Sequence, residues 1–275
     1  MNFFQKIVFF STLFFPFALS AQTAVDLDSE FGGRFSVGID KKIVKGLHVS
    51  LDEELRFSDN FNCISRLQTN FAVDYKLMQY LKLGIGYSLI NPYSTTEKAF
   101  SDAKHRIVFS ATSAVKYGQW RFVLKEQTQL THRTGSFNEY QNPQNALTLK
   151  SRLSAKYNYS ERLAPYAFVE IRNMLNAPVV VASYDGTNYL TPSGGKTGEA
   201  GWFLDGFSGS YLNRIRLGFG AQINFNSHNG LNICLLLDRV SDKVIDANAE
   251  GTKLKSYTKE TGIVGQIGAG YVFSF

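Results

Sequence analysis

Residues 47–57 read LHVSLDEELRF, and this stretch alternates strictly between two kinds of side chain. The even positions are all polar or charged, and every odd position except Glu53 is apolar. A period of two is the spacing at which successive side chains point to opposite faces of a β-strand. The stretch therefore predicts a long strand with one apolar face and one charged face.

The same alternation recurs along the chain and gives eleven candidate strands in all. The ten further segments are residues 31–40, 67–77, 81–89, 106–117, 120–130, 147–157, 166–172, 214–223, 231–238 and 263–275. Many of them hold the pattern for longer than the ~5–6 residues of an ordinary strand in a soluble protein. Lengths of about 9–11 residues are typical of strands that cross a bilayer.

Short and long connections take turns between these segments. The short ones are residues 41–46, 78–80, 118–119, 158–162 and 225–230, and the long ones are residues 58–65, 91–104, 133–145, 174–210 and 241–261. Bacterial barrels place short turns at the periplasmic end and long loops outside. The first and last candidate strands then both run toward the periplasm. Because antiparallel closure needs an even count, we expect a twelfth, short strand within residues 22–30. Ten strands, or a leader lying in the lumen, are the alternatives.

The first residues have the layout of a secretory signal peptide. Lys6 precedes an apolar run over residues 7–19, and small residues at 19–21 offer a cleavage point before Gln22. We therefore expect residues 1–21 to be a signal peptide and residues 22–275 to form one barrel domain.

A secreted soluble β-sandwich would also show alternating strands, since each of its sheets has one face in the core. Aromatic residues near strand ends favour the membrane barrel, because they match the girdles at a membrane interface; they are Phe57, Tyr75, Tyr117, Trp120, Tyr157 and Tyr211. Only a closed sheet pairs every backbone amide within lipid. The pattern therefore predicts an all-β, antiparallel, up-and-down barrel in the outer membrane of a Gram-negative bacterium, in contact with its lipids.

Two stretches resemble known proteins. The closing sequence GAGYVFSF (268–275) is similar to the C-terminal signal through which outer-membrane barrels meet the insertion machinery, with Tyr271, Phe273 and Phe275 on one face. The sequences KKIVKGLHVSLDEELRFSDN (41–60) and VDYKLMQYLKLGIGYSLI (73–90) resemble a family of uncharacterised outer-membrane proteins of Bacteroidota-type bacteria, domain of unknown function 2490. The resemblance implies a fold and assigns no catalytic residue.

The face opposite the apolar one is rich in basic residues, and in a barrel it lines the lumen. The charged positions that we expect to form a network there are Arg56, Arg66, Arg106, Arg121, Arg152, Glu170, Arg172, Arg214, Arg216 and Asp238. Ion pairs that fill a small barrel are one interpretation. A basic lumen that attracts small anions is the other. Glu170 and Arg172 form the first pair to consider.

Two acidic residues break the pattern, because Glu53 and Glu126 fall on apolar faces. A carboxylate that faces lipid is costly. A local β-bulge that shifts the register is one explanation for these positions, and the sequence does not decide it.

The sequence holds one enzyme-like pattern. His48, Ser50 and Asp52 share one face of a strand, in the order that a base-activated serine with an orienting acid requires. A lipid or lipopolysaccharide-modifying hydrolase is therefore an alternative function. The three residues face the lumen near the periplasmic end, away from outer-leaflet lipid, so we interpret them as polar lining and expect no enzyme activity.

Other classes of site find little support. The formal net charge of +6 is modest, and no basic run indicates a nucleic-acid partner. No metal-ligand spacing and no cofactor motif is present, and the pairing of Cys63 with Cys234 stays open. We therefore predict a porin-like barrel: a narrow or ion-pair-filled pore with a basic lumen, or a protein that binds through surface loops such as 174–210.

Overall fold

The computed structural model describes residues 24–26, 30–135, 143–184, 188–190, 201–247 and 254–275. The predicted signal peptide, residues 1–21, lies outside these residues. Within the described ranges, no helix is long and apolar enough to cross a membrane.

The described residues form sixteen strands. In chain order they are β1 Ala24–Asp26, β2 Glu30–Val44, β3 Leu47–Ser58, β4 Cys63–Lys76, β5 Leu81–Ser94, β6 Ala99–Phe100, β7 Lys104–Tyr117, β8 Trp120–Arg133, β9 Asn145–Tyr157, β10 Leu163–Ala177, β11 Val180–Tyr184, β12 Asn188–Leu190, β13 Gly201–Leu204, β14 Gly209–Asn224, β15 Asn229–Ala247 and β16 Leu254–Ser274.

Eleven of these strands close into a barrel. Their order around the wall is β2, β3, β4, β5, β7, β8, β9, β10, β14, β15 and β16, with antiparallel neighbours along the path. Each of the eleven contains one of the alternating segments of the sequence, so the predicted antiparallel barrel is confirmed. The remaining strands are short additions: β6 pairs with the end of β5, and β11 to β13 form a separate small sheet.

The barrel closes where β16 meets β2, and these two strands run parallel. Their register extends from Val264 opposite Glu30 to Ser274 opposite Asp40. The predicted short strand near the N-terminus exists as β1, but it also pairs parallel with β16, at Lys259–Thr261, in line with β2. The expectation that an antiparallel twelfth strand completes the wall is therefore corrected. Parallel pairing already hydrogen-bonds both free edges, so no further strand is needed.

The short turns lie at one end of the barrel together with Phe275, here called the short-turn end, and the longer connections lie at the long-loop end. Several strands exceed their predicted lengths: β15 and β16 are 19 and 21 residues long and occupy most of the predicted loop 241–261. The predicted loop 58–65 shortens to four residues between β3 and β4, where Asp59, Asn60 and Phe61 adopt left-handed backbone conformations. The long connection 174–210 holds β11 to β13.

The two faces of the wall have opposite character. Large apolar side chains stand exposed outside, such as Phe109 at 56% and Ile85 at 51% of their full surface. Charged side chains are buried inside, such as Asp238 at 1% and Glu170 at 3%. A soluble sandwich would bury its apolar face, whereas a transmembrane barrel turns that face toward lipid.

Candidate functional site

One acid-centred cluster lies on β2 and β3 inside the lumen. Arg34 Nη2 donates to Glu54 Oε2 at 2.5 Å, and Arg56 Nε donates to the other oxygen of the same carboxylate. The period of two places Glu54 and Arg56 on the same face of β3, and Arg34 is the register partner of Arg56 on β2. Glu54 is thus shared by two guanidinium groups.

A second cluster surrounds Glu170 of β10, whose two neighbouring strands supply bases directly opposite it. Arg152 of β9 and Arg216 of β14 are its register partners. Arg152 Nη2 donates to Glu170 Oε2 at 2.5 Å, while Lys150 Nζ and Arg216 Nη1 lie 3.3 Å and 3.8 Å from Oε1. The carboxylate is therefore surrounded by three bases in a buried position, as a buried charge requires.

Asp238 of β15 extends this cluster around the wall. Arg216 binds it in bidentate fashion through Nε and Nη2, both at 2.6 Å, and Arg214 Nη1 lies 3.3 Å from Oδ2. Electrostatic attraction between Arg216 and Glu54 links the two clusters across the lumen. We call the whole set the lumen charge network: Arg34, Glu54, Arg56, Lys150, Arg152, Glu170, Arg214, Arg216 and Asp238.

Several predicted network residues lie on the lumen face without a carboxylate partner within ion-pair distance among the described residues. Arg172 donates to Asn213 Oδ1, and Arg106 Nε donates to Thr131 Oγ1 at 2.9 Å. Glu170 therefore pairs with Arg152 and Arg216 on the two neighbouring strands, and not with Arg172 as predicted. Arg121 lies near the short-turn end, where it repels Lys156.

Neutral amide and hydroxyl groups also line the lumen, beside the lumen charge network. Asn70 accepts hydrogen bonds from Gln68 Nε2 and Ser88 Oγ, both at 2.6 Å, and donates to Asp52 Oδ2 at 3.0 Å. They occupy the even, inward-facing positions of the segments 67–77 and 81–89, and this pattern could have identified them from the sequence.

The structure does not assemble His48, Ser50 and Asp52 into a triad. His48 Nδ1 lies 3.2 Å from Oδ1 of Asp40 on β2, whereas Asp52 is bonded to Asn70. His48 lines a cavity of about 820 Å³ at the short-turn end. The arrangement is that of a polar lining at the mouth of the lumen.

Glu53 and Glu126 face outward, and no β-bulge lies at either position. The register runs without interruption through both positions. A hydroxyl on a neighbouring strand bonds each carboxylate instead: Thr69 Oγ1 donates to Glu53 at 2.6 Å, and Ser151 Oγ donates to Glu126 at 2.5 Å. A local hydrogen bond therefore accommodates each carboxylate without a shift in register.

The C-terminal aromatic residues line the outer face of β16 at the short-turn end. The rings of Phe273 and Phe275 lie 5.7 Å apart, and Lys41 Nζ lies 4.5 Å from the Phe275 ring centre. The Phe275 amide donates to the Asp40 carbonyl at 3.0 Å, which fastens the last residue to β2.

Metal and disulfide chemistry find no site in the described part of the chain. No group of three His, Cys, Asp or Glu side chains there could hold a metal ion. Cys63 and Cys234 are both free thiols.

The closed sheet, the apolar outer surface and the charged lumen define the chain as a transmembrane β-barrel. It belongs to the family described as "Protein of unknown function (DUF2490)", whose model matches residues 32–188. The resemblance seen in the sequence is thereby confirmed, while the bacterial group of origin stays a prediction. No curated protein matches the chain.

Among solved structures, the chain is similar to the outer-membrane expressed OmpT of Vibrio cholerae. The two share 10% sequence identity with a TM-score of 0.33, over 78% of this chain and 60% of that one. The chain therefore spans about 60% of the length of that protein.

Proposed function

We propose that the protein is an outer-membrane barrel whose lumen is a narrow, basic passage for small anions, partly filled by the lumen charge network. The observation that carries this proposal is the imbalance of the inner wall. Within the lumen charge network, six bases bond to only three carboxylates, those of Glu54, Glu170 and Asp238. Arg66, Arg106 and Arg172 add further positive charge. A lumen lined by such groups favours anions over cations.

Planar-bilayer recording in asymmetric KCl tests the proposal. We expect a small current whose reversal potential is displaced toward the equilibrium potential of chloride. Arg106→Gln should move the reversal potential toward the equilibrium potential of potassium, because the substitution removes a positive charge from the lumen. Lys98→Gln removes the same charge from the exposed turn before β6 and should leave the potential unchanged. A cation preference in the unmodified protein would refute the basic passage.

A second candidate function is binding at the long-loop end. The connection between β10 and β14 folds into its own three-stranded sheet, with β11 between β12 and β13. Binding residues lie disproportionately on loops that a rigid scaffold holds in place. A barrel that carries no current in bilayers, and whose ligand is lost when residues 180–204 are replaced by a short Gly-Ser linker, would favour this candidate.

The proposal also includes the location and two partners, the lipids of the outer membrane and the insertion machinery. The outward-facing aromatics of β16 support both. Replacing Phe273 and Phe275 with serine should lower the amount of protein recovered in the outer-membrane fraction, whereas Phe225→Ser, in a turn at the same end, should not. Recovery of the unmodified protein from the soluble periplasm or the medium would exclude the location.

A further inference from the structure

Four arginines from four separate strands converge in the half of the lumen nearer the long-loop end. They are Arg66 of β4, Arg106 of β7, Arg172 of β10 and Arg214 of β14, and we call them the arginine ring. Each repels the next: Arg66 acts on Arg106, Arg106 on Arg172, Arg172 on Arg214, and Arg214 on Arg66. The four positive charges therefore form a closed cycle around the lumen rather than a row along one strand.

The donors of this ring are incompletely used. The Nε atoms of Arg66, Arg172 and Arg214 are buried and have no hydrogen-bond partner among the described residues. Arg172 and Arg214 are register partners, so their side chains start from directly opposite positions on adjacent strands. A buried donor without a partner is costly, and in a native protein it points to a bound water or ion.

Protein carboxylates near the ring are already occupied. Glu54 is bonded to Arg34 and Arg56. Asp238 receives both hydrogen bonds of Arg216 and also lies 3.3 Å from Arg214 Nη1, so one carboxylate serves two guanidinium groups. Asp242 attracts Arg172 but accepts the hydroxyl of Tyr211 at 2.8 Å. The ring therefore holds more positive charge than the surrounding carboxylates neutralise, and an external anion is the remaining source of negative charge.

The geometry points to the arginine ring as a binding site for a phosphate-class oxyanion, either free phosphate or the phosphoryl group of a larger molecule. A guanidinium group presents parallel N–H donors that match two oxygens of such an anion, and several of them can share its tetrahedral oxygens. Chloride has no such set of acceptor directions. This inference rests on the proposed anion passage, for which it identifies the preferred anion.

Titration of the purified, folded full-length chain with inorganic phosphate at constant ionic strength tests the site. We expect saturable calorimetric binding and a rise in the thermal unfolding midpoint, since a ligand that binds only the folded state stabilises it. Equal concentrations of chloride should produce neither effect. Glycerol phosphate is the second probe: binding of this ester as tight as that of inorganic phosphate would indicate a phosphoryl group as the ligand, and weaker binding would indicate the free ion.

The decisive variant is the double substitution Arg66→Gln with Arg172→Gln, which should weaken phosphate binding by roughly tenfold or more. The matched control, Lys116→Gln with Arg121→Gln, removes the same charge from the lumen face near the short-turn end and should retain the affinity. Equal losses of phosphate affinity in both variants would show that the effect comes from the overall positive charge of the lumen, and would contradict a specific site. The difference in gel migration between unheated and heated samples reports whether each variant is folded.

The unmodified protein alone can overturn the inference, even where the double variant does not fold. If phosphate neither binds nor stabilises the unmodified protein, the phosphate site is refuted, and water is the partner of the buried Nε atoms. An anion-selective current without phosphate binding would refute the phosphate site at the arginine ring and support the proposed anion passage. Phosphate binding without any current would refute the proposed anion passage and support the phosphate site.

Discussion

Arg216 and Asp238 are register partners on β14 and β15, and two parallel hydrogen bonds of 2.6 Å join the guanidinium to both carboxylate oxygens. Only 4% of the Arg216 surface and 1% of the Asp238 surface is exposed. The same guanidinium lies 3.8 Å from Glu170 on β10. One arginine therefore connects three adjacent strands through the lumen charge network.

Removal of one partner should show how much the wall depends on this pair. Asp238→Asn leaves Arg216 and Arg214 without their carboxylate, and we expect it to lower the free energy of unfolding by about 3–5 kcal/mol. Urea unfolding of the folded barrel in lipid vesicles measures the change. Asp74→Asn is the control, because the Asp74–Lys82 pair at 2.9 Å is far more exposed, and it should cost about 1 kcal/mol or less. Equal costs at the two sites would contradict a special role for the buried pair.

Packing of aromatic rings over glycines offers a second test in the lumen. Gly220 is the register partner of Tyr166, whose hydroxyl donates to Asn232 at 2.6 Å. A Cβ on Gly220 would lie 2.5 Å from the Ile233 carbonyl oxygen and 2.6 Å from the Tyr166 hydroxyl. Gly220→Ala should therefore destabilise the barrel by about 1–3 kcal/mol through overpacking, as measured by urea unfolding. At Gly230 the nearest atom is 3.6 Å away, so Gly230→Ala should have a much smaller effect.

Most of the wall could be predicted from sequence because lipid and lumen impose opposite demands on alternate side chains. The segment 47–57 shows this clearly, since its parity separates Leu51 outside from Glu54 inside. Closure could not be predicted in the same way. A period of two looks identical in parallel and antiparallel strands, and the pairing of β16 with β2 joins segments from opposite ends of the chain.

The site was predictable to the same depth. Parity indicated which charged residues face inward, but the partner of each one depends on the register between strands, which a single sequence does not contain. Glu170 is two residues from Arg172 along β10, yet Arg152 and Arg216 lie directly opposite it on the neighbouring strands. The hydroxyl partner of Glu126 escaped the sequence analysis for the same reason, because Ser151 lies on the next strand.

The outward-facing carboxylates give a prediction about the membrane itself. Glu126 lies at the middle of β8, between Ala111 and Ser151 on the neighbouring strands, where a charged group is unfavourable toward lipid. Glu126→Leu should therefore raise the free energy of unfolding in vesicles, by up to about 2 kcal/mol. Ser151→Ala should lower it, since the carboxylate loses its hydrogen bond. A loss of stability in Glu126→Leu would mean that this carboxylate has a favourable role on the outer surface, and would contradict simple contact with lipid.

The hydrolase alternative predicts an activity that we do not expect. The His48 ring pairs with Asp40 rather than Asp52, and this pair lies inside the mouth of the lumen, away from the lipid-facing surface. Vesicles that contain phosphatidylethanolamine and lipopolysaccharide should therefore release fatty acid at the same background rate with the unmodified protein, Ser50→Ala and His48→Ala. The measurement is a time course of free fatty acid. Hydrolysis by the unmodified protein that Ser50→Ala and His48→Ala both abolish, while Asp74→Asn retains it, would establish a catalytic serine, because only a serine activated by this histidine requires both groups.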